Sequence, residues 1–411
     1  MKIPLITALL FFIFITVDAQ RTCVTEEYTQ AHFVLKNKEV FSKENSVPAR
    51  DTFFNEIITI PVVIHVLFNN SSQDISDAQI QSQMDVLNKD FRLLNADKTS
   101  VPEAFKSFSG DSRIMFCLAK VDPDGRSTTG INRKYTSKAY FMADDGMKFK
   151  AQGGVDAWDS KRYLNIWVCR IFGRTLGYAT PPGGDDAKDG VVISYDVFGT
   201  TGRLRTDFNK GRTATHEIAH WLGLKHIWGD DYCGDDEVDD TPRQKSYNFN
   251  CPTFPRATNC SPDINGDMFM NYMDLTSDAC MNMFTIGQKN KMRALFALKG
   301  ARNSILRSYQ CDGSLATAGP LPQDTIPVIQ PADIISVYPN PVVDYVIVQS
   351  KQLQTLKGKT AIILSAAGKP VYQQLLQSTN EKIKIGFLPS GIYILSIGDA
   401  GSKTNFKLVK M

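Results

Sequence analysis

The sequence has 411 residues, with 46 Lys and Arg against 43 Asp and Glu for a formal net charge of +3, and 43% of it is apolar. That is an ordinary globular balance over enough length for two or three domains, and 28 Gly and 19 Pro give many turns without the bias of a disordered or fibrous chain. The near-neutral, mixed charge leaves no basic footprint for nucleic acid and no acidic tail, so function is to be sought at a localised site.

Taken in chain order, Lys2, the short apolar run 5–17 and the small-residue site Val17-Asp18-Ala19 describe a secretory signal peptide over residues 1–19. The run is shorter than the roughly 20 apolar residues that a membrane span needs, and no later segment is suited to span. Export explains the eight cysteines (23, 117, 169, 233, 251, 260, 280 and 311), because disulfides persist in oxidising compartments. Residues 20–54 are polar and charged, with little periodicity beyond Phe33-Val34-Leu35, and read as a pro-segment with Arg50-Asp51 as the candidate maturation site.

From 57 the texture changes. Residues 57–68 are a β-rich run, and 76–91 place Ile80, Met84, Leu87 and Phe91 at helical spacing, with Ser76 and Gln79 set as a capping box. This strand and helix open the main domain, residues 55–312. Apolar runs at 113–121, 163–171 and 190–195 read as further strands of one sheet. Residues 313–334 have the Gly/Pro texture of a linker. In 335–411, short β-rich runs at 342–349, 360–365, 370–374, 382–386, 392–397 and 404–409 predict a small all-β sandwich. It holds no His and no Cys, so no metal chemistry is assigned to it.

The chemistry sits in Thr215-His216-Glu217-Ile218-Ala219-His220-Trp221-Leu222-Gly223-Leu224-Lys225-His226. Two His four apart share one helix face and can reach one zinc ion, with Glu217 beside them. Gly223 can adopt positive φ, stop the helix and turn the chain so that His226 supplies a third nitrogen. Three nitrogens leave one position for a water, which Glu217 as general base can deprotonate, and the reaction implied is peptide-bond hydrolysis. The chain holds five His and three fall here. The others, His32 and His65, are assigned ordinary structural roles.

His-Glu-x-x-His-x-x-Gly-x-x-His is the extended zinc motif of the metzincins, and Asn271-Tyr272-Met273-Asp274 fits their Met-turn, with Met273 as the apolar floor of the site. Together with Asp239-Asp240-Thr241-Pro242, Cys251-Pro252, 268–274 and Asp278-Ala279-Cys280-Met281, residues 57–311 resemble the pappalysin family, in its ulilysin or cytophagalysin branch. The resemblance implies an α+β, metzincin-type catalytic domain: a twisted mixed sheet with backing and active-site helices and a loop-rich lower subdomain. It implies a zinc endopeptidase acting on proteins or peptides. It also suggests the pairs Cys233 with Cys260 and Cys251 with Cys280, among three connectivities that the four allow. Cys117 and Cys169 sit in apolar strands, as buried thiols or as a pair, and Cys311 has no evident partner.

Cys23 is a candidate fourth zinc ligand in a latent form, its thiolate holding the water position until the segment is cut away. The acidic run 230–241 suits Ca²⁺, with Asp236, Asp239 and Thr241 as the chosen ligands. Leu176-Gly177-Tyr178-Ala179 resembles the edge strand that pairs with substrate, through Gly177 and Tyr178. Asp278 could line the pocket beyond the scissile bond and attract Arg or Lys. Two residues after Met273, where relatives often have a Tyr near the oxyanion, this chain has Leu275.

The last domain, through Val337-Tyr338-Pro339-Asn340-Pro341, Gly391-Ile392-Tyr393 and the ending Lys407-Leu408-Val409-Lys410-Met411, resembles sorting domains read by the type IX secretion machinery. A carbohydrate- or matrix-binding sandwich is the rival, because the fold does not fix the function. The expectation is a secreted or cell-surface zinc endopeptidase made as a latent precursor. The alternative is a surface-binding protein with a zinc-stabilised, inactive domain.

Overall fold

The computed structural model describes residues 21–32, 56–257, 259–260, 265–309, 311–314, 335–350, 356–365, 368–399 and 402–411. The signal-peptide reading, the proposed maturation site and most of the linker lie outside them. The chain divides into two compact units, Met1–Gly319 and Pro320–Met411.

In the first unit the central strand β1 (Ile58–Phe68) is buried on both faces, which is why its sequence reads as a near-continuous apolar run. Its length lets it pair in parallel with β2 (Ile114–Leu118) and then β3 (Ile131–Tyr135) along one edge, while β4 (Leu164–Cys169) takes the other. β6 (Val191–Ser194) adds in parallel, and β5 (Gly177–Ala179) closes the edge antiparallel, giving the order β2-β1-β4-β6-β5. The expected mixed sheet is present, together with β3, which the sequence reading had not picked out.

Helix α2 (Asp77–Asp90) lies on one face, where Ile80, Met84, Leu87 and Phe91 join Ile60, Val62, Ile64 and Ile166 in the main core. Each such fully buried side chain contributes about 1.5–3 kcal/mol. The Ser76 hydroxyl caps the helix by accepting from the Gln79 N–H at 3.1 Å. The reciprocal half of the predicted capping box does not form: the Gln79 side-chain amide donates to Phe198 O at 2.8 Å, because that loop carbonyl is buried beside it.

On the other face Leu67, Trp167, Cys169, Tyr178 and Val192 are covered by Phe141 and Met147 from the loop that follows β3. His65 belongs here, as a structural histidine. Its Nε2 lies 3.0 Å from Asn165 Oδ1, its ring stacks on Trp167, and burial lowers its pKa to about 4.

Three disulfides staple this unit: Cys233–Cys260 and Cys251–Cys280, as the resemblance suggested, and Cys117–Cys311. Cys311, without an evident partner in the sequence, closes onto β2, and Cys169 stays a buried free thiol. Among the described residues no helix is long and apolar enough to cross a membrane.

The second unit is the expected all-β sandwich. One sheet has the order β10 (Pro370–Leu375), β9 (Thr360–Ser365), β12 (Gly391–Asp399), β13 (Ser402–Lys410). The other is β11 (Asn380–Lys384), β8 (Tyr345–Gln349), β7 (Ser336–Tyr338). Val346 and Val348 of one sheet meet Ile363, Leu395 and Leu408 of the other in a shared core. β11 begins earlier than the predicted 382–386, and β7 was not anticipated.

Candidate metal centre and its cleft

Helix α3 (Arg212–Trp221) carries the first two histidines and is buried along its whole length. Ala214, Ile218, Ala219 and Trp221 pack into the main core, so the polar residues between them are held by the fold rather than by solvent. The N-terminal turn is fastened electrostatically: the Arg212 guanidinium pairs with Asp90 and with Asp97, while Thr215 Oγ1 donates to Asp90 Oδ2 at 2.7 Å. Burial raises Asp90 to about 6 although Arg212 opposes it. Gly223, at φ 81°, ends the helix as expected and lets the chain return with His226.

The His220 Nε2 lies 3.1 Å from His216 Nε2 and 3.2 Å from His226 Nε2. Each Nδ1 meets a group that can only accept: Tyr272 O at 2.7 Å for His216, Leu224 O at 2.8 Å for His220 and Asp230 Oδ1 at 2.5 Å for His226. The proton therefore sits on each Nδ1, and the three Nε2 atoms converge with no N–H among them. Neutral lone pairs at this spacing repel unless a cation lies among them, and tetrahedral Zn–N bonds of about 2.0–2.1 Å set nitrogens about 3.3 Å apart. Burial holds His216 well below the usual histidine range and lowers His220 to about 3, which keeps both in the ligating form. The donor set fits zinc.

Met273 is buried on the Met-turn, and the carbonyl of its neighbour Tyr272 orients His216. His226 also stacks on Trp228, with ring centroids 4.3 Å apart. Trp228 is a support that the sequence reading did not name, and Asp230, which it had placed in the acidic run, holds His226 instead.

The cleft holds the segment 21–32. Cys23 Sγ lies 3.6 Å from His220 Nε2 and completes a buried four-residue cluster whose donor atoms all fall within 4.8 Å of one another. Burial and then the neighbouring Glu217 carboxylate push the Cys23 thiol up. Thr25 Oγ1 donates to Glu217 Oε2 at 2.9 Å and accepts from Ala179 N at 3.0 Å. Glu217 is itself raised to about 7 by burial, partly offset by Thr25 and Cys23. Arg21 pairs with Asp278, reaches Thr213 Oγ1 at 3.0 Å and Thr276 O at 3.1 Å, and lies over the Phe208 ring. None of Arg21, Thr25, Thr213 or Phe208 was given a role in the site from sequence. The helix α1 (Thr25–His32) was likewise unexpected.

Residues 150–297 match the peptidase family of pregnancy-associated plasma protein-A, and 336–411 match the secretion system C-terminal sorting domain. An extracellular metalloprotease of Verticillium alfalfae is 32% identical over 249 residues, spanning 58% of this chain and 76% of that protein. The chain belongs to the pappalysin family of metallopeptidases. Tannerella forsythia mature mirolysin, solved in complex with a cleaved peptide, is 51% identical, with a TM-score of 0.60 over 61% of this chain and 96% of that one. A promirolysin mutant of the same organism is 45% identical, with a TM-score of 0.62 over 69% and 97%. This pappalysin is thus a secreted or cell-surface zinc metalloendopeptidase carrying a type IX sorting domain.

The remaining predicted residues separate within the pappalysin unit. Gly177 lines the cleft: a Cβ there would come 2.9 Å from Glu217 Cγ and 2.8 Å from Val192 O. Tyr178, next along β5, points to the opposite face and bonds Asp145 and Met147, so only its main chain borders the cleft. Asp278 has a second task beyond Arg21, because its Oδ2 accepts from the N–H groups of Lys210 and Arg212 at the start of α3. Leu275 is buried.

In the acidic run, Asp235 pairs with Arg243, Glu237 with Lys225 and Lys291, and Asp240 with Thr285 and Gly287 N. Asp236 is buried, its Oδ1 accepts from Thr241 Oγ1 at 2.8 Å, and its Oδ2 has no partner. Burial raises it to about 7. Asp239 and Thr241 line the same small cavity.

Proposed function

We propose that this pappalysin is made as a latent precursor in which residues 20–54 are a pro-segment and Cys23 occupies the place of the attacking water. The observation that carries this reading is the Cys23 thiol inside the imidazole cluster, with Thr25 on Glu217 at the same time. In the mature enzyme His216, His220 and His226 hold zinc. Zinc, when bound, supplies Lewis acidity toward the scissile carbonyl and a water nucleophile. Glu217, freed of Thr25, takes the water's proton and delivers it to the leaving amine. The main chain of Gly177 and Tyr178 aligns the extended substrate, and the absence of a Cβ at Gly177 leaves room for Glu217.

The side chain following the scissile bond enters the Asp278 pocket, where Arg or Lys is preferred. The Arg21–Asp278 pair supports this, since the pocket already accommodates a guanidinium together with Thr213 and the Phe208 ring. Asp236, Asp239 and Thr241 bind Ca²⁺, a reading supported by the unpartnered, buried Asp236 Oδ2. Residues 335–411 engage the type IX secretion machinery. Glu217→Ala tests the assignment of the base: proteolysis of a denatured protein should vanish while zinc, measured by elemental analysis, stays at one equivalent. Retained proteolysis would remove Glu217 from its role, and lost zinc would make the result one of metal binding.

A further inference from the structure

A second built pocket lies over β5, on the face opposite the one that Gly177 presents to Glu217. Its walls are Asp145, Met147, Lys148, Tyr178, Thr180 and Lys188, and it is filled by Tyr28 of α1. Tyr28 is 3% exposed. Its hydroxyl donates to Asp145 Oδ2 at 2.7 Å, its ring centroid lies 4.8 Å from that of Tyr178, and Lys148 Nζ stands 5.1 Å from the same ring.

The floor is ionic and largely buried. Lys148 and Asp145 are both fully buried, with Nζ 2.9 Å from Oδ1, and Lys188 Nζ lies 3.2 Å from Asp145 Oδ2. Lys148 also donates to Thr180 Oγ1 at 2.9 Å and Lys188 O at 2.8 Å. Burial would push the Asp145 carboxyl up, but Lys148, the Tyr28 phenol and Lys188 outweigh it and hold it below the usual carboxylate range. Two desolvated charges stabilise a fold less than apolar side chains of the same volume would, so the pair needs another reason to be present.

The order of contacts supplies that reason. Along the segment, Arg21 meets Asp278, Cys23 meets the imidazoles, Thr25 meets Ala179 N and Tyr28 meets Asp145. With the residue after the scissile bond at Asp278 and Cys23 at the imidazoles, the chain direction from Arg21 to Tyr28 runs toward the acyl side of the metal centre. We propose that, once residues 20–54 have left, the Asp145–Lys148 pocket is a substrate subsite that takes a tyrosine side chain on the N-terminal side of the scissile bond. This rests on the proposed removal of the pro-segment and on the role given to Asp278. A phenylalanine there leaves Asp145 Oδ2 without its phenolic donor and with Lys188 alone, and sites built to bond a hydroxyl reject analogues that lack it. A lysine meets Lys148 and Lys188, and a carboxylate meets Asp145.

The test uses the processed, zinc-loaded enzyme obtained from the full chain. Peptides with Arg after the scissile bond carry Tyr, Phe or Ala at each of the upstream positions in turn. At one position kcat/KM for Tyr should exceed that for Phe by about 10-fold or more. In parallel, a fluorescent peptide of sequence 20–32 and its Tyr28→Phe form are titrated by anisotropy, and the Phe form should bind about 10-fold more weakly. Asp145→Asn should bring the Tyr-to-Phe ratio toward one. If that variant does not fold, the two measurements on the unaltered enzyme decide the matter. Equal kcat/KM for Tyr and Phe at every position, with equal binding of the two segment peptides, overturns the proposal. If peptides lacking Arg are cut as fast as those with it, the Asp278 assignment fails by itself, and the Tyr-to-Phe binding ratio still reads the pocket.

Discussion

Cys23 and Arg21 stand two residues apart and reach two different parts of the cleft, the imidazole cluster and Asp278. Their effects should therefore separate. Cys23→Ala removes the donor that completes the cluster but leaves Arg21, Thr25 and Tyr28 in place, so the precursor should gain activity before any cleavage while the segment still competes with substrate. The measurement is hydrolysis of a quenched peptide by the intact precursor, with chain length checked before and after. Unchanged latency would remove Cys23 from the switch. Asp278→Asn keeps an oxygen for the Lys210 and Arg212 N–H groups at the start of α3 and removes the charge facing Arg21. Because a hydrogen bond to a charged group is worth about 1.5–3 kcal/mol, kcat/KM for Arg-containing peptides should fall about 10- to 100-fold toward that for neutral ones. Melting temperature should change little. A fall common to all peptides would point to a distorted helix instead.

At the scale of elements, α3 and the Met-turn form one unit through His216 Nδ1 and Tyr272 O, and the acidic loop forms another. That loop gives the next prediction. Asp235, Glu237 and Asp240 are committed to Arg243, Lys225, Lys291, Thr285 and Gly287, whereas the buried Asp236 keeps one oxygen without a partner. Selective removal of Ca²⁺ with zinc retained should lower the melting temperature and the activity together, and Asp236→Ala should abolish that calcium response. Indifference to calcium in the unaltered enzyme would leave Asp236 a purely structural buried acid.

What the sequence made legible at this scale follows from distance along the chain. His216, His220 and Gly223 were readable because helical geometry fixes what residues three to seven apart can do. Arg21, Thr25 and Tyr28 were not, since each acts through a partner more than a hundred residues away and no local pattern marks it. The capping box failed for a related reason: Gln79 obeyed a buried carbonyl at Phe198 in place of its own helix end. Cys311 lacked an evident partner because 194 residues separate it from Cys117. Tyr178 lies on the edge strand β5, but period-two alternation sends its side chain away from the face that Gly177 presents to Glu217.

For the whole molecule, the two units have separate cores, and the last covalent tie of the first is Cys117–Cys311. That disulfide joins β2 to the stretch just before the linker, so the first unit is closed before residue 313. Deleting residues 320–411 should therefore leave the purified, processed enzyme with unchanged kcat/KM and an unchanged main unfolding transition, while delivery to the cell surface or medium is lost. Cutting the chain before Cys311, or replacing Cys117 by Ser, removes the staple and should cost about 2–5 kcal/mol, read as an earlier unfolding midpoint. If the 320–411 deletion lowered catalysis as much as loss of the disulfide does, the sandwich would have to belong to the enzyme rather than to its export.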